Sequence, residues 1–136
     1  MAKSTGIGWT TCSVDDSGGT VRAIINDVTN LSFSTPRGVQ DITGIDKSAI
    51  ERTLLLADFS ITLNGVADFA SNPSAHGVFS TVPSSTVART VTLTVSSKTL
   101  PNETLFTDYQ LTRPQTGELT WQAPGVLADG TVPTWA

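Results

Sequence analysis

Histidine and cysteine are side chains that often carry out chemistry in proteins, and the chain holds one of each. A single histidine, His76, excludes a metal site with two or more histidine ligands. A Ser-His-Asp triad is not predicted either, because no Gly-x-Ser-x-Gly segment is present to expose a serine nucleophile. Cys12 has no second cysteine with which to form an intrachain disulfide, and we expect it to be a small buried apolar residue.

Glycine-rich and acidic segments also lack the patterns of cofactor sites. The chain has no Gly-x-x-x-x-Gly-Lys-Ser/Thr loop for phosphate. Asp15 and Asp16 stand in a glycine-rich turn, where carboxylates usually bond the backbone, and the regularly spaced oxygen ligands of a calcium loop are missing. Three tryptophans would suit a sugar-binding platform, but Trp121 falls on the apolar side of its strand. The sequence therefore predicts a binding or structural protein that is not an enzyme, with no cofactor and no metal.

Length and composition indicate one domain that spans residues 1–136. Charged residues make up 15% of the chain, against about 25% in an average soluble domain. Threonine, which suits a pleated surface with one solvated face, is abundant. The formal net charge of −4 disfavours tight binding to nucleic acid phosphates. No apolar run is long enough for a transmembrane helix, so membrane insertion is not predicted.

Apolar and polar residues alternate with a period of two along most of the chain, which is typical of half-buried antiparallel strands. Two weaker strands are predicted near the N-terminus, around a turn rich in aspartate and glycine. Seven strands of this kind close most readily as a mainly β antiparallel sandwich or small barrel. The five stronger strands are predicted at 30–34, 57–63, 90–95, 105–111 and 118–123, and the two weaker ones at 8–14 and 20–25.

One short flanking α-helix is predicted at about residues 72–82. Ser71 or Asn72 would cap its first turn, and Pro73 would occupy the first helical position. An apolar stripe then follows at helical spacing, and Pro83 would end the helix. The stripe consists of Ala75, Val78, Phe79 and Val82.

Two segments fit neither a strand nor a helix. The first is a long charged loop at about residues 36–53, which is unusually long for a compact domain and is therefore expected to be functional. It concentrates charges of both signs in a chain that has few: Arg37, Asp41, Asp46, Lys47, Glu51 and Arg52. The second is the segment 124–136, which places apolar side chains beyond the last predicted strand. Those side chains are Val126, Leu127, Val132 and Trp135, and they must fold back on the domain or dock on a neighbouring subunit.

Several stretches together resemble the tail tube (major tail) proteins of long-tailed bacteriophages, over most of the chain from about Val28 onward. The final run, Leu-Ala-Asp-Gly-Thr followed by Val-Pro-Thr-Trp, is the most characteristic of them. The stretches that carry the resemblance are 46–52, 58–65, 66–69, 75–79, 109–113, 117–121 and 126–135.

The resemblance implies a structural virion protein with a β-sandwich and a flanking helix. It implies self-association into hexameric rings that stack into a hollow tube, the conduit for DNA delivery into the host cell. Implied partners are the tail terminator, tape measure and baseplate or tip proteins, together with DNA in transient passage. Assembly would take place in the host bacterial cytoplasm.

The sequence also suggests roles for particular residues within such a tube. The charged loop would set the register between rings, and the apolar segment 124–136 would be covered by a neighbouring subunit. The solvated side of the central strands would face the lumen or an equally wet wall, with Asp58, Thr62, Thr92 and Asp108 as candidates.

Two alternatives remain open at the level of sequence. The first is another ring-forming phage protein, either a tail terminator or a capsid decoration protein. The second is a monomeric immunoglobulin-like or carbohydrate-binding module, which would share the strands and the composition. A monomeric module would need neither the charged loop nor the apolar segment 124–136.

Overall fold

The computed structural model describes residues 3–69 and 74–136, and strands dominate that part of the chain. A short helix, α1, spans Ala75–Phe79, and single 3-10 turns occupy Gly6–Gly8, Ile25–Asp27 and Val82–Ser84. The strands are β1 Trp9–Asp15, β2 Val21–Ala23, β3 Val28–Ser34, β4 Arg37–Asp41, β5 Arg52–Ala57, β6 Ser60–Val66, β7 Arg89–Val95, β8 Lys98–Phe106, β9 Gln110–Thr112 and β10 Thr120–Leu127.

Eight strands form one antiparallel sheet in the order β2-β1-β7-β8-β10-β6-β3, with β9 paired to β10. The sheet curls until Trp9 of β1 contacts Phe33 of β3, with 6.2 Å between their ring centroids. No backbone pairing between β1 and β3 is seen within the described residues, so the barrel stays open. The predicted mainly β antiparallel fold with one short helix is thereby confirmed.

The core lies inside this curled sheet, on the apolar side of each alternating strand. On β7, Val91 and Leu93 are buried, and on β6, Ile61 and Leu63 are buried, while the residues between them stay at least partly accessible. Each such side chain stabilises the fold by about 1.5–3 kcal/mol relative to an exposed position. The period-two pattern of the sequence therefore identifies the side of the sheet that forms the core.

Helix α1 is shorter than the helix predicted at 72–82. Ser74 is its N-cap and accepts the Gly77 N–H through Oγ at 3.1 Å. The helix does not extend to residue 82. The Val78 carbonyl, which would accept a backbone N–H in a longer helix, accepts a hydrogen bond from Arg89 Nη1 at 2.7 Å. The predicted capping residues Ser71 and Asn72, together with Pro73, lie outside the described residues.

The predicted loop at 36–53 is partly strand: its ends belong to strands β4 and β5 of a β-hairpin, and residues 42–51 form the loop that connects them. Strands β4 and β5 pair as a separate two-stranded sheet in which Val39 lies opposite Leu54 and Asp41 lies opposite Arg52. All of its residues but Ala57 are exposed, so neither strand shows the alternation by which a half-buried strand is recognised.

Most of strand β8 was not predicted, because Pro101 interrupts its pattern. The residues two positions away on either side bond the C-terminal segment: Thr99 N–H donates to Ala136 O, and Glu103 O accepts the Ala128 N–H. The backbone of Pro101 faces the same edge of β8, at a point where β10 no longer pairs with it. The absence of an N–H is tolerated there. The strand predicted at 105–111 is accordingly divided between the end of β8, a turn and β9.

Candidate assembly surfaces

The β4–β5 hairpin is tied together mainly by its own backbone and side chains. At its root, Arg37 donates Nε–H and Nη2–H to Leu55 O at 2.9 and 2.7 Å. Near its tip, the Thr43 hydroxyl donates to Glu51 O and accepts the Glu51 N–H. Thr43 also bonds the carboxylate of Asp41, which lowers the pKa of that group. An isolated two-stranded hairpin is only marginally stable in water, so a hairpin like this one benefits from a partner surface.

All six charged residues predicted for the inter-ring loop lie on this hairpin. Arg37, Asp41 and Arg52 stand on the strands, while Asp46, Lys47 and Glu51 belong to the tip at 42–51. Within the described part of the chain, the ion pair present is Arg22 with Asp16, at 3.1 Å, and the hairpin charges make none. The three positive and three negative hairpin charges cancel, so the net charge of −4 comes from the rest of the chain.

Sequence reasoning missed the apolar side chains on this hairpin. Leu56 is 90% exposed, and the tip residue Ile45 has no protein covering it. The consecutive leucines at 54–56 were the available signal, because such a run has no solvated side. The exposed large apolar residues of the hairpin are Val39, Ile42, Ile45, Ile50, Leu54, Leu55 and Leu56.

The four lumen candidates do not share one surface. Thr62 on β6 and Thr92 on β7 lie on the solvated side of the sheet, between buried neighbours. Asp58 and Asp108 were expected on that side of the strands but stand in connections, after β5 and after β8. Each carboxylate accepts the N–H of the following residue at 2.8 Å, an arrangement typical of turns. Of the four lumen candidates, the two threonines therefore belong to the solvated face and the two aspartates do not.

This solvated face is nearly free of charge. Between β7 and β8 it carries a carboxylate, Glu103, which accepts a hydrogen bond from the Thr90 hydroxyl. Across β6 and β10 the residues paired on the same side are neutral. Hydroxyl, amide and proline groups make up most of the face: Thr90, Thr92, Thr94, Thr99, Pro101, Ser60, Thr62, Asn64, Gln122 and Pro124.

The four residues predicted to dock on a neighbouring subunit occupy two different places. Val126 and Leu127 belong to β10, so the last strand is longer than predicted. Trp135 lies against Phe33 of the same chain, with 5.9 Å between ring centroids, and remains 47% exposed. Val132 is 61% exposed. Ala136 and Thr99 exchange two backbone hydrogen bonds of 2.8 and 3.0 Å, so the end of the segment folds back on its own sheet.

Two buried charged groups hold the helix end of the molecule together. The carboxylate of Asp27 accepts the Ala75 N–H at 2.9 Å, at the first turn of α1. The guanidinium of Arg89 donates to Asp15 O, Val78 O and the hydroxyl groups of Thr81 and Ser85. Burial lowers the pKa of Arg89 from its ordinary value.

His76 and Cys12 have structural surroundings. His76 Nδ1 lies 3.1 Å from the Tyr109 hydroxyl, and its ring packs edge-on against Phe69. Cys12 is buried, and desolvation raises the pKa of its thiol to about 12. In the described residues, histidine, cysteine and carboxylate groups do not gather in threes as a metal site would need. No helix in 3–69 or 74–136 has the length and hydrophobicity of a membrane-spanning segment.

No protein-family model and no curated protein sequence matches the chain. Solved structures do match it. A chain in the C6-symmetric tail of an empty gene transfer agent particle superposes with a TM-score of 0.72 at 14% identity, over 98% of both chains. The chain shares the fold of that tail subunit.

A second match comes from the virion of a native gene transfer agent particle. Its TM-score is 0.69 at 15% identity, and the match covers 98% of this chain and 99% of the other. The fold resemblance to tail proteins that the sequence predicted is thereby confirmed. Both matches span nearly the whole chain.

Proposed function

We propose that the chain is a tail tube subunit, a structural virion protein that assembles into stacked hexameric rings around a channel for DNA. The observation that supports this most directly is the fold shared over 98% of the chain with a subunit of a C6-symmetric tail. In this proposal the chain has a structural role and catalyses no reaction.

The charge distribution fits a channel for DNA. A surface of neutral hydroxyl and amide groups gives phosphates no cation to bind, and the net charge of −4 repels them. We propose that the solvated face carrying Thr62 and Thr92 lines the channel or borders it. A duplex would then pass without being held.

The hairpin and the segment 124–136 would supply the contacts between subunits. The six charges of the hairpin would fix the register between rings, since matched charges penalise misaligned neighbours. Val126, Val132 and Trp135 keep exposed apolar surface that an adjacent subunit would cover. The tail terminator, tape measure and baseplate or tip proteins would complete the particle, with assembly in the host cytoplasm.

Size-exclusion chromatography with light scattering, followed by negative-stain microscopy of the purified protein, tests the proposal. We expect rings with six subunits, and tubes with sixfold symmetry at higher concentration. Single rings that never stack would instead indicate a terminator or decoration protein. A protein that stays monomeric up to millimolar concentration would contradict the proposal and favour a single binding module.

A further inference from the structure

The hairpin carries two separate apolar surfaces that the described chain leaves uncovered. The first is its tip, where Ile42, Ile45 and Ile50 are all exposed. The second is a groove of about 810 Å3 at its root, between β5 and the segment 124–136. Leu54, Leu55, Leu56 and Ala57 line one side of this root groove, and Val132 lies on the other.

A missing side chain helps to shape the root groove. Gly38 stands beside Leu55, and a Cβ at residue 38 would lie 3.3 Å from Leu55 Cδ1. The leucine therefore occupies the space that a larger residue would take. The groove volume is within the range of pockets that enclose apolar groups, about 300–1,000 Å3.

The two surfaces carry net charges of opposite sign: the tip, 42–51, holds Asp46 and Glu51 against Lys47, and the root groove holds Arg37. Arg37 borders the root groove, and two of its nitrogens donate to Leu55 O, which fixes the guanidinium in place. No carboxylate of residues 3–69 or 74–136 forms an ion pair with it. At the tip, Asp46 follows Ile45 directly and likewise has no cationic partner within the described chain.

The tip of a hairpin does not reach its own root. The five residues of β4 separate them, which corresponds to about 17 Å at 3.3–3.4 Å per residue. A tip that occupies a root groove therefore belongs to another molecule. Because tip and groove are different surfaces of the same chain, such a contact is head-to-tail, and it propagates from copy to copy as rings or filaments.

We propose that the hairpin tip of one copy seats in the root groove of a second copy. Ile45 lies against Leu55 and Leu56 of the second copy, and Asp46 pairs with its Arg37. This inference rests on the proposed function, since it names the surfaces through which tail subunits hold one another.

Disulfide trapping tests the contact between copies. Ile45→Cys and Leu56→Cys are made as separate variants, and Cys12 stays as it is because it is buried. We expect an equal mixture of the two, oxidised under assembly conditions, to yield a cross-linked dimer at least tenfold more abundant than in either variant alone. Ile7→Cys is the matched control for Ile45→Cys, since Ile7 is an exposed isoleucine outside the hairpin. Equal cross-linking of the two variants to Leu56→Cys would overturn the proposal.

A charge exchange tests the polar half of the contact. Asp46→Arg alone and Arg37→Asp alone should each slow assembly about tenfold, and a chain that carries both changes should recover most of the rate. Circular dichroism verifies that each variant is folded. A double variant that assembles more slowly than both single variants would contradict the pairing.

The two proposals fail in distinguishable ways. Rings or tubes that form without the Ile45–Leu56 cross-link would overturn the tip-in-groove contact and leave the tail tube function standing. A wild-type protein that forms neither cross-links nor particles would count against both.

Discussion

At Gly65 the backbone of β6 passes so close to the turn at Ile25–Asp27 that no side chain fits. A Cβ there would overlap the carbonyl oxygen of Asp27 and lie 2.8 Å from Trp121 Nε1. Asp27 is also the residue whose carboxylate holds the first turn of α1. The position therefore joins a strand, a turn and a helix through a single close approach.

We expect Gly65→Ala to lower the free energy of unfolding by more than about 2 kcal/mol, because the backbone must move to admit the methyl group. Urea denaturation followed by tryptophan fluorescence measures this. Gly6→Ala is the control, because a Cβ at residue 6 meets nothing within 4 Å. Equal stabilities of the two variants would show that the close approach is relieved at little cost.

Cys12 should be inert in the folded protein. Its pKa is raised to about 12 by burial, so the reactive thiolate is scarce at neutral pH and the sulfur is inaccessible. We expect no reaction with a thiol reagent at pH 8 in buffer, and stoichiometric reaction in denaturing urea. Rapid labelling of the native protein would contradict the burial of Cys12 in the core.

The sequence predicted Cys12 as a buried apolar residue but gave no indication of the buried charges. Asp27 reaches a partner 48 positions away in the sequence, and Arg89 bonds a carbonyl 11 positions away. Such pairings depend on how the chain folds over itself. A single sequence carries no local pattern for them, so charged residues like these are expected at the surface.

Among the elements, the β4–β5 hairpin departs furthest from its prediction. Its charges indicated a functional segment, whereas its strands were invisible because both of its sides face solvent. Strands β6 and β7 were predicted, since each has one buried side that repeats with a period of two. Period-two patterning therefore reveals a strand only where one side of it packs against a core.

Charge reversal at the hairpin tip should separate assembly from folding. We expect Lys47→Glu to slow tube or ring formation severalfold, because it removes a charge that fixes register, while the melting temperature of the monomer stays within about 1 °C. Light scattering and thermal unfolding measure the two quantities. Lys3→Glu makes the same change in net charge on an exposed residue outside the hairpin. If Lys3→Glu slowed assembly as much as Lys47→Glu, the cause would be electrostatic repulsion between subunits of higher net charge and not the position of the charge.

For the whole molecule, the segment 124–136 combines contacts within its own chain with apolar side chains that stay exposed. Its first part is strand β10, and its end is held on the same chain by Thr99 and Phe33. The sequence predicted that the segment needs a cover and left open whether its own domain or a neighbouring subunit provides it. Contacts within one chain and contacts with a neighbouring subunit both use apolar side chains. The sequence pattern is therefore the same for both and does not distinguish them.

Removal of residues 129–136 should leave a folded subunit of lower stability. Loss of the half-buried Trp135 and of two backbone hydrogen bonds is expected to cost about 1–2 kcal/mol, or a fall of about 3–8 °C in melting temperature. Differential scanning calorimetry measures this, and microscopy shows whether rings still form. An unchanged melting temperature would mean that the segment contributes nothing within its own chain.

The position of β1 in the sheet has a consequence for synthesis on the ribosome. Strand β1 pairs with β2 on one side, soon after it is made, but on the other side Cys12 of β1 lies opposite Leu93 of β7, so this second neighbour is added only about 80 residues later. Closing so long a loop is slow compared with forming the β7–β8 hairpin, whose strands are adjacent in sequence. The nascent chain therefore carries β1 with one edge unpaired until most of the protein has emerged. This interval is when a chaperone that shields exposed strands would matter most.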